Sequence, residues 1–333
     1  MESSAHIAGN KALEMPLVRG NAPAFPLEIN IAIGFLVLTL AVGIWFGLPF
    51  SFPNGDRAAS VGVNYLYPLI AIAIWAAIMV FQRSKQVTST FFVALPAYAL
   101  VLLCHFNLKL WIPHLNPRLW DQAYWASDQA IRPLIDGAMA FRTTLDPVIP
   151  LDSNFYMLGF IALFYLAFGY ACLKRPETFR ELVLAAIIMQ IMGSFAYLVA
   201  PALGPFLFEA GVEPPATLAQ QSMLASWHAN TAGGAEWIAT EGGRQITVGL
   251  AAMPSLHAGG AFLFLIYALR YTVALRLPFT LLFAFIAIDA VANRWHYAVD
   301  LPAGMALAAI ATWIAAGLVK QSSPIGHIGK SQE

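Results

Sequence analysis

The sequence has few charged residues. Only 11% of its 333 residues are Asp, Glu, Lys or Arg, whereas 59% are hydrophobic. Soluble globular proteins carry roughly 25% charged residues, so this composition excludes an ordinary soluble domain and indicates a polytopic membrane protein. The formal net charge is zero, so nothing in the charge balance favours nucleic acid as a partner.

Signals for disulfide bonds and for secretion are also missing. The two cysteines, Cys104 and Cys172, fall near opposite membrane faces in the topology given below, so we interpret them as small apolar side chains. Residues 1–29 are polar and mixed, without the apolar core and cleavage site of a signal peptide. We therefore expect a cytoplasmic tail, followed by an uncleaved first membrane segment.

Long apolar segments make up most of the remaining chain. A helix needs about 20 apolar residues to cross a bilayer, and about eight segments qualify. We find no internal repeat and no low-complexity tract. The sequence therefore predicts an all-α, polytopic bundle of about eight transmembrane helices in one membrane domain. The segments are roughly 30–50, 62–82, 90–110, 153–173, 181–206, 255–274, 277–294 and 297–319.

Short loops rich in positive charge predict the orientation. They are Arg83-Ser84-Lys85 and Lys174-Arg175-Pro176, and the positive-inside rule places them on the cytoplasmic side. Both termini are then cytoplasmic, and two long connections, 111–152 and 207–253, lie on the outer side. We expect interfacial helices in the first connection and an amphipathic cap in the second. Whether either connection has a role in substrate access stays open.

Two motifs stand at the mouths of apolar segments. Residues 253–257 (Met-Pro-Ser-Leu-His) place a proline at the expected first position of a membrane helix, followed by Ser and His. The unpaired backbone N–H groups and the helix dipole there form a site for an anion such as phosphate. The second motif is residues 294–300 (Arg-Trp-His-Tyr-Ala-Val-Asp). The predicted hairpin of spans six and seven brings both motifs to the outer face.

The residues of these motifs together indicate phosphoryl transfer. His296 and Asp300 are four positions apart and share a helix face. A carboxylate on one imidazole nitrogen fixes the tautomer and leaves the other nitrogen as a nucleophile or base. His257 is suited to protonate a leaving oxygen. With an anion site at Ser255 and a guanidinium fork at Arg294, these groups describe transfer through a covalent histidine, without a metal or organic cofactor.

The motifs also carry a family resemblance. Pro-Ser-Leu-His at 254–257 and His296-x-x-x-Asp300 resemble the type-2 phosphatidic acid phosphatase (PAP2) superfamily. Leu256 in place of the usual Gly, and residues 197–205 (Tyr-Leu-x-x-Pro-x-x-Gly-Pro), are similar to its inositol-phosphotransferase branch, the Aur1-like enzymes. The resemblance implies a six-helix core and lipid phosphates or diphosphates as substrates.

The resemblance also implies a role for each catalytic residue and a domain division. His296 is the nucleophile that becomes phosphohistidine, His257 is the acid for the leaving group, and Asp300 orients His296. Two N-terminal transmembrane helices in 30–89 then precede a PAP2-like catalytic membrane domain at 90–320. The flanking residues, 1–29 and 321–333, are cytoplasmic tails.

Two usual motifs of the superfamily are missing. Neither Arg132-Pro133 nor Arg175-Pro176 has a Lys seven residues before the Arg, and Asp-Ala at 289–290 occupies the positions of the usual Ser-Arg pair. The phosphate clamp is therefore unassigned by motif, and we expect Arg294 and Arg244 to supply it. The acid at position 289 either faces the site and pairs with an arginine or contacts the next span.

These observations favour a membrane enzyme with its site at the extracytoplasmic face. It would pass an inositol-phosphate-type head group from a lipid phosphate to an acceptor lipid alcohol. Were water the acceptor, the same site would make a phosphatase of phosphatidate or polyprenyl diphosphate, and the sequence does not separate the two. It does not indicate an oligomeric state either. His105 and His228 lie outside any motif, and we interpret them as structural.

Three other classes of protein fit the sequence less well. A membrane transporter predicts paired broken helices and an internal repeat, which we do not find. A serine hydrolase would need Ser255 in a different local setting. A zinc enzyme is disfavoured, because HExxH is absent and the two motifs supply too few ligands.

Overall fold

The computed structural model describes residues 26–54, 85–247 and 250–322. Within these ranges every regular element is a helix, which confirms the all-α prediction. A short 3-10 turn, Pro205–Leu207, follows α6. The helices are α1 (Leu27–Phe46), α2 (Lys85–Leu115), α3 (Asp121–Ala130), α4 (Arg132–Thr144), α5 (Phe155–Lys174), α6 (Pro176–Val199), α7 (Pro214–Glu241), α8 (Leu256–Tyr271), α9 (Val273–Ala292) and α10 (Asp300–Ser322).

Five helices are long and apolar enough to cross a membrane, namely α1, α5, α6, α9 and α10. Helix α8 is also apolar but has only 16 residues. Helix α2 has 31 residues and contains Pro96 and Pro113. Together these helices account for the predicted segments except 62–82, which lies outside the described residues. The polytopic membrane class is therefore confirmed.

The six helices α2, α5, α6, α8, α9 and α10 pack on one another, and α1 packs against α2 and α6. Helix α10 lies against both α6 and α8. It approaches α8 to backbone contact at Gly304 and Gly259, where an added Cβ on Gly259 would lie 2.7 Å from the Gly304 carbonyl oxygen. Small residues let two membrane helices approach to backbone contact. This crossing sets the first turns of α8 and α10 side by side.

Hydrogen bonds at the two ends of α8 give the direction of the bundle. At its beginning, the Ser255 N–H donates to the Asp300 carbonyl oxygen, over 3.0 Å. At its other end, the Tyr267 hydroxyl donates to Glu181 at the beginning of α6, also over 3.0 Å. The beginnings of α8 and α10 therefore lie together, at the opposite end from the beginning of α6.

The two long connections fold as helices at the end of the bundle that carries both motifs. The first contains α3 and α4, and α4 packs against α9. The second contains α7, which packs against α2 and is kinked at Gly234, a glycine with φ +58°. A positive φ of this kind suits glycine, which has no Cβ. Both connections therefore reach the region in which the two motifs meet.

Candidate active site

Three loops meet where α8 and α10 begin. They are residues 200–204, 250–255 and 293–299. The backbone N–H of Ala252 donates to the Ala202 carbonyl oxygen over 2.8 Å, so the first two loops are joined directly. The last two loops carry the His257 and His296 motifs into contact with each other.

Asp121, the first residue of α3, joins loop 200–204 to loop 293–299. Its carboxylate accepts the backbone N–H groups of Leu203 and Gly204, at 3.0 Å and 2.9 Å. It also accepts the Tyr297 hydroxyl at 2.8 Å. Burial, and next the Asp121 carboxylate, raise the pKa of Tyr297 above its usual range. The phenol therefore stays protonated and remains a donor to Asp121.

The imidazole of His296 is held through one nitrogen. Its Nδ1 lies 2.7 Å from the Ala252 carbonyl oxygen and 3.3 Å from Oδ2 of Asp300. That carboxylate oxygen also accepts the Tyr297 N–H at 2.8 Å. Both neighbours of Nδ1 are acceptors, so we assign the proton to Nδ1. This assignment leaves a lone pair on Nε2, as a nucleophile or base requires.

Ser255 caps α8. It is fully buried, and its Oγ accepts the Ala258 N–H at 3.4 Å. The prediction that proline occupies the first helical position is wrong, because α8 begins at Leu256 and Pro254 precedes the cap. A serine side chain can satisfy a first-turn N–H group, which proline cannot do. Several N–H groups at the mouth of α8 already have partners, because Ser255 donates to the Asp300 carbonyl oxygen and Ala258 donates to the Ser255 Oγ. The predicted anion site there stays a prediction.

His257 lies in the first turn of α8, against aromatic residues of α5. Its ring meets Phe160 at a centroid distance of 4.7 Å and Tyr156 at 5.7 Å, both edge to face. The ring is partly exposed and lies within electrostatic range of His296. The structure thus brings together both histidines and Asp300. Their catalytic roles stay predictions.

Arg294 is fully buried beside the His296 turn. Its Nη2 donates to Asp128 over 3.0 Å, its Nε lies 3.5 Å from Glu209, and its guanidinium lies 5.4 Å from the Trp125 ring centre. Its Nε and Nη1 have no hydrogen-bond partner among the described residues. Its φ of +55° is strained for a residue with a side chain. Two buried donor atoms therefore have no hydrogen-bond acceptor among the described residues.

Arg244 lies in a different setting. Its side chain is 65% exposed, and its ion-pair partner is Glu241, 3.8 Å away at the end of α7. None of the described hydrogen bonds or ion pairs joins it to His257, His296 or Asp300. Its predicted role in phosphate binding stays a prediction.

Two polar residues of α2 also lie near His257: Lys109, which carries no prediction from the sequence, and His105, which we interpret from the sequence as structural. The Lys109 ammonium lies 5.7 Å from the Tyr197 ring centre, and within the described residues it pairs with no carboxylate. His105 Nδ1 lies 2.8 Å from the Ser194 Oγ. Both residues are within electrostatic range of His257. An unpaired cation beside two histidines makes this side of the site attractive to an anion.

A sequence signal for Lys109 exists. Residues 109–117 read Lys-x6-Asn-Pro, which is the spacing of the usual Lys-x6-Arg-Pro motif with Asn116 in place of Arg. Asn116 instead joins the ends of α2 and α6, because its Nδ2 donates to the Leu198 carbonyl oxygen over 2.8 Å. A search for the full motif therefore passes over this Lys.

Fold and site together define an integral membrane protein in which two histidines and a buried carboxylate meet between helix ends. The sequence matches the PAP2 superfamily over residues 148–314, just over half of the chain. The chain belongs to this superfamily, whose members are phosphatases and phosphotransferases of phosphate esters. The match includes both histidine motifs, whereas α1 to α4 precede it. No curated protein and no solved structure matches the chain.

Proposed function

We propose that the protein is a membrane enzyme that transfers phosphoryl head groups between lipids through a phosphohistidine at His296. The observation that carries the proposal is the hold on Nδ1 by Ala252 and Asp300, which leaves Nε2 as the nucleophile. His257 and the first turn of α8 supply a proton donor and an anion site beside it.

The proposed reaction has two steps. In the first, Nε2 of His296 attacks phosphorus, the bond from phosphorus to the donor oxygen breaks, and His257 gives that oxygen its proton. In the second, an acceptor hydroxyl attacks the phosphohistidine while His257 takes its proton. The phosphorus–nitrogen bond breaks, and His296 and protonated His257 are regenerated.

Three groups support phosphate binding in this proposal. The Nε and Nη1 atoms of Arg294, which lack hydrogen-bond partners among the described residues, and the N–H group of His257, in the first turn of α8, are donors for the transferred phosphoryl group. Lys109 is a second cation, near His257. The exposure of Arg244 and its Glu241 partner favour Lys109 over Arg244 as a phosphate contact.

The choice of acceptor rests on how little water reaches the site. The His296 side chain is 9% exposed, and the rings of Trp125 and Phe208 stack at 4.9 Å next to Arg294. A site that excludes water favours transfer to an alcohol over hydrolysis. The Aur1-like residues 197–205 favour the same outcome. We therefore propose a lipid alcohol as the acceptor, with lipid phosphate hydrolysis as the alternative.

Product analysis on the purified protein in detergent tests this function. Phosphatidylinositol and phosphatidate are each supplied with and without a lipid alcohol, to the wild type and to His296→Ala. His228→Ala, which removes an exposed histidine of α7, is the matched control. Acceptor-dependent transfer in wild type and control, lost in His296→Ala, supports the proposal. Release of free phosphate regardless of acceptor establishes the phosphatase. If the wild type forms neither product, the proposed enzymatic activity is refuted.

We also propose that the site faces the extracytoplasmic side. The basic connection between α5 and α6, Lys174-Arg175-Pro176, lies at the opposite end of the bundle from His296, and short basic loops stay in the cytoplasm. Single cysteines placed at exposed Lys174 and exposed Arg118, in a chain with Cys104 and Cys172 replaced by alanine, test this orientation. An impermeant thiol reagent applied to intact cells should label position 118 and spare position 174. The reverse pattern would contradict the orientation.

A further inference from the structure

One buried guanidinium joins three helices outside the histidine motifs. Arg142 of α4 is 1% exposed. Its Nε donates to Oδ1 of Asp289 on α9 over 2.7 Å, and its Nη2 donates to Oε1 of Glu213 at the beginning of α7. Asp289 therefore pairs with an arginine, as one of the two alternatives from the sequence predicts, although none of its described hydrogen bonds or ion pairs joins it to His257 or His296.

Asn293 closes this set of contacts into a ring. Its Nδ2 donates to Oδ2 of Asp289, and its Oδ1 accepts the backbone N–H of Glu213, each over 3.0 Å. Hydrogen bonds thus run from Arg142 to Asp289, from Asn293 to Asp289, from Glu213 to Asn293 and from Arg142 to Glu213. We call these four residues the Arg142 ring.

The remaining donors of Arg142 are also used. Its Nη1 donates to the Ile149 carbonyl oxygen over 2.9 Å, and its Nη2 lies 3.3 Å from that of Pro150. These contacts fix the connection between α4 and α5. Since the guanidinium has acceptors on every side, it does not serve as a phosphate contact, in contrast to the partly unpaired Arg294.

The ring is attached to the catalytic turn through Asn293. Asn293 ends α9 and directly precedes Arg294, the residue with φ +55°. Its carbonyl oxygen accepts the Gln220 side chain over 2.7 Å, and the backbone N–H of His296 donates to the Ala290 carbonyl oxygen over 3.1 Å. A strained backbone persists only where its surroundings hold it, and the ring supplies that hold.

We propose that Arg142 and Asp289 are positioning residues for the phosphoryl transfer, because the Arg142 ring fixes the turn that carries Arg294 and His296. They touch no reacting atom and act through Asn293. The inference rests on the proposed function for its reaction, whereas the ring is a property of the fold. Arg142 precedes the segment that matches the superfamily, so the guanidinium of the ring belongs to a connecting helix outside that segment.

The ring has a charge signature that a purely structural contact lacks. Two carboxylates surround one guanidinium in a buried site, and burial, followed by the nearby Asp289 carboxylate, raises the pKa of Glu213 to about 7. The charged groups that face Glu213 are Asp289 from α9 and Arg142 from α4, and Asn293 adds a neutral contact. With Asp289 ionised beside Arg142, the ring is neutral while Glu213 is protonated and carries one buried negative charge once Glu213 ionises.

The first test is the pH profile of kcat for the wild type and Glu213→Gln. We expect kcat of the wild type to fall above about pH 7 with little change in KM, because charging the ring loosens the turn rather than the lipid contacts. Glu213→Gln keeps the ring neutral and should remove that decline. Asp136→Asn, which neutralises a 56% exposed carboxylate on α4, is the matched control and should keep the wild-type profile.

A second pair of variants tests the positioning itself. Arg142→Met should lower kcat about 100-fold, the effect of a displacement on the order of 1 Å at the reacting atoms, and Arg142→Lys should restore part of it. Asp289→Asn, which keeps the shape of the ring, should lower kcat less than Arg142→Met does. An unchanged kcat in folded Arg142→Met would overturn the positioning role.

A readout without substrate separates the ring from the reaction. The raised pKa of Glu213 means that the folded state binds this proton more tightly, so its contribution to stability is present below about pH 4.5 and lost as the pH rises through about 7. Glu213→Gln should therefore unfold at a higher temperature than the wild type at about pH 8, and at the same temperature at about pH 4.5. Equal unfolding temperatures of the two proteins at both pH values would refute the raised pKa of Glu213. If the expected difference in unfolding temperature is found but the wild type has neither transferase nor phosphatase activity, the proposed function is refuted, whereas the Arg142 ring is supported.

Discussion

The Nδ1 atom of His296 lies closer to the backbone carbonyl oxygen of Ala252, at 2.7 Å, than to the carboxylate of Asp300, at 3.3 Å. The tautomer of His296 therefore depends on two acceptors, one of which no side-chain substitution removes. In a serine-protease triad, the equivalent Asp-to-Asn change costs about 10⁴-fold in kcat. The carbonyl of Ala252 should make the loss smaller here.

We expect Asp300→Asn to lower kcat by about 100-fold, rather than by the ~10⁴-fold of the triad analogy. Asn keeps an oxygen that can accept the Tyr297 N–H, which Oδ2 of Asp300 accepts at 2.8 Å, so the turn should stay folded. Single-turnover kinetics on phosphatidate would measure the loss. Full activity in Asp300→Asn would contradict an orienting role for the carboxylate.

His257 should matter in proportion to how poor the leaving group is. A proton donor contributes little when the departing oxygen is already a weak base. We therefore expect His257→Ala to lower kcat/KM by about 10²- to 10⁴-fold with an alkyl phosphate ester, and much less with a nitrophenyl ester. The comparison of both esters in the variant and the wild type measures this difference. Equal losses with the two esters would assign His257 to binding instead of proton transfer.

Several features of the fold follow from local sequence patterns. Apolar segments of bilayer length predict the helices α1, α5, α6, α9 and α10, and the hairpin of α8 and α9 brings both motifs to one end. The spacing of four between His296 and Asp300 predicts their contact, but the expected shared helix face is wrong, because α10 begins at Asp300 and His296 lies in the loop before it. Each of these inferences depends on residues near in sequence or on the alternation of spans.

The contacts that the sequence does not predict join residues far apart in the chain. Lys109 approaches His257 from α2, and Arg142 reaches Asp289 across 147 positions. No periodicity reports such pairs, because they depend on how helices pack and on how the long connections fold back. The Ala252 carbonyl cannot be predicted for another reason, since every residue offers the same backbone group and only the fold decides which one lies near His296.

Lys109→Met should weaken substrate binding. Hydrogen bonds to charged groups contribute about 1.5–3 kcal/mol, so loss of the ammonium near His257 should lower kcat/KM by about 10- to 100-fold. Inhibition by inorganic phosphate should weaken in parallel, which a measurement of initial rates against phosphate concentration tests. Lys174→Met, at the exposed end of α5, removes a lysine at the opposite end and should have neither effect. Unchanged phosphate inhibition in Lys109→Met would remove Lys109 from the anion site.

Gly304→Ala should destabilise the fold at the crossing of α8 and α10. An added Cβ would overlap the Ser255 carbonyl oxygen, which is backbone and has little room to move. Overpacking of this kind costs about 1–3 kcal/mol, and it would also push the first turn of α8 away from Asp300. Gly317→Ala makes the same change on α10 at a position with no atom within 4 Å. Thermal unfolding in detergent should show a lower midpoint for Gly304→Ala and an unchanged midpoint for Gly317→Ala. Similar midpoints for the two variants would show that the helices can separate there at little cost, and the close contact would not be what aligns the histidine motifs.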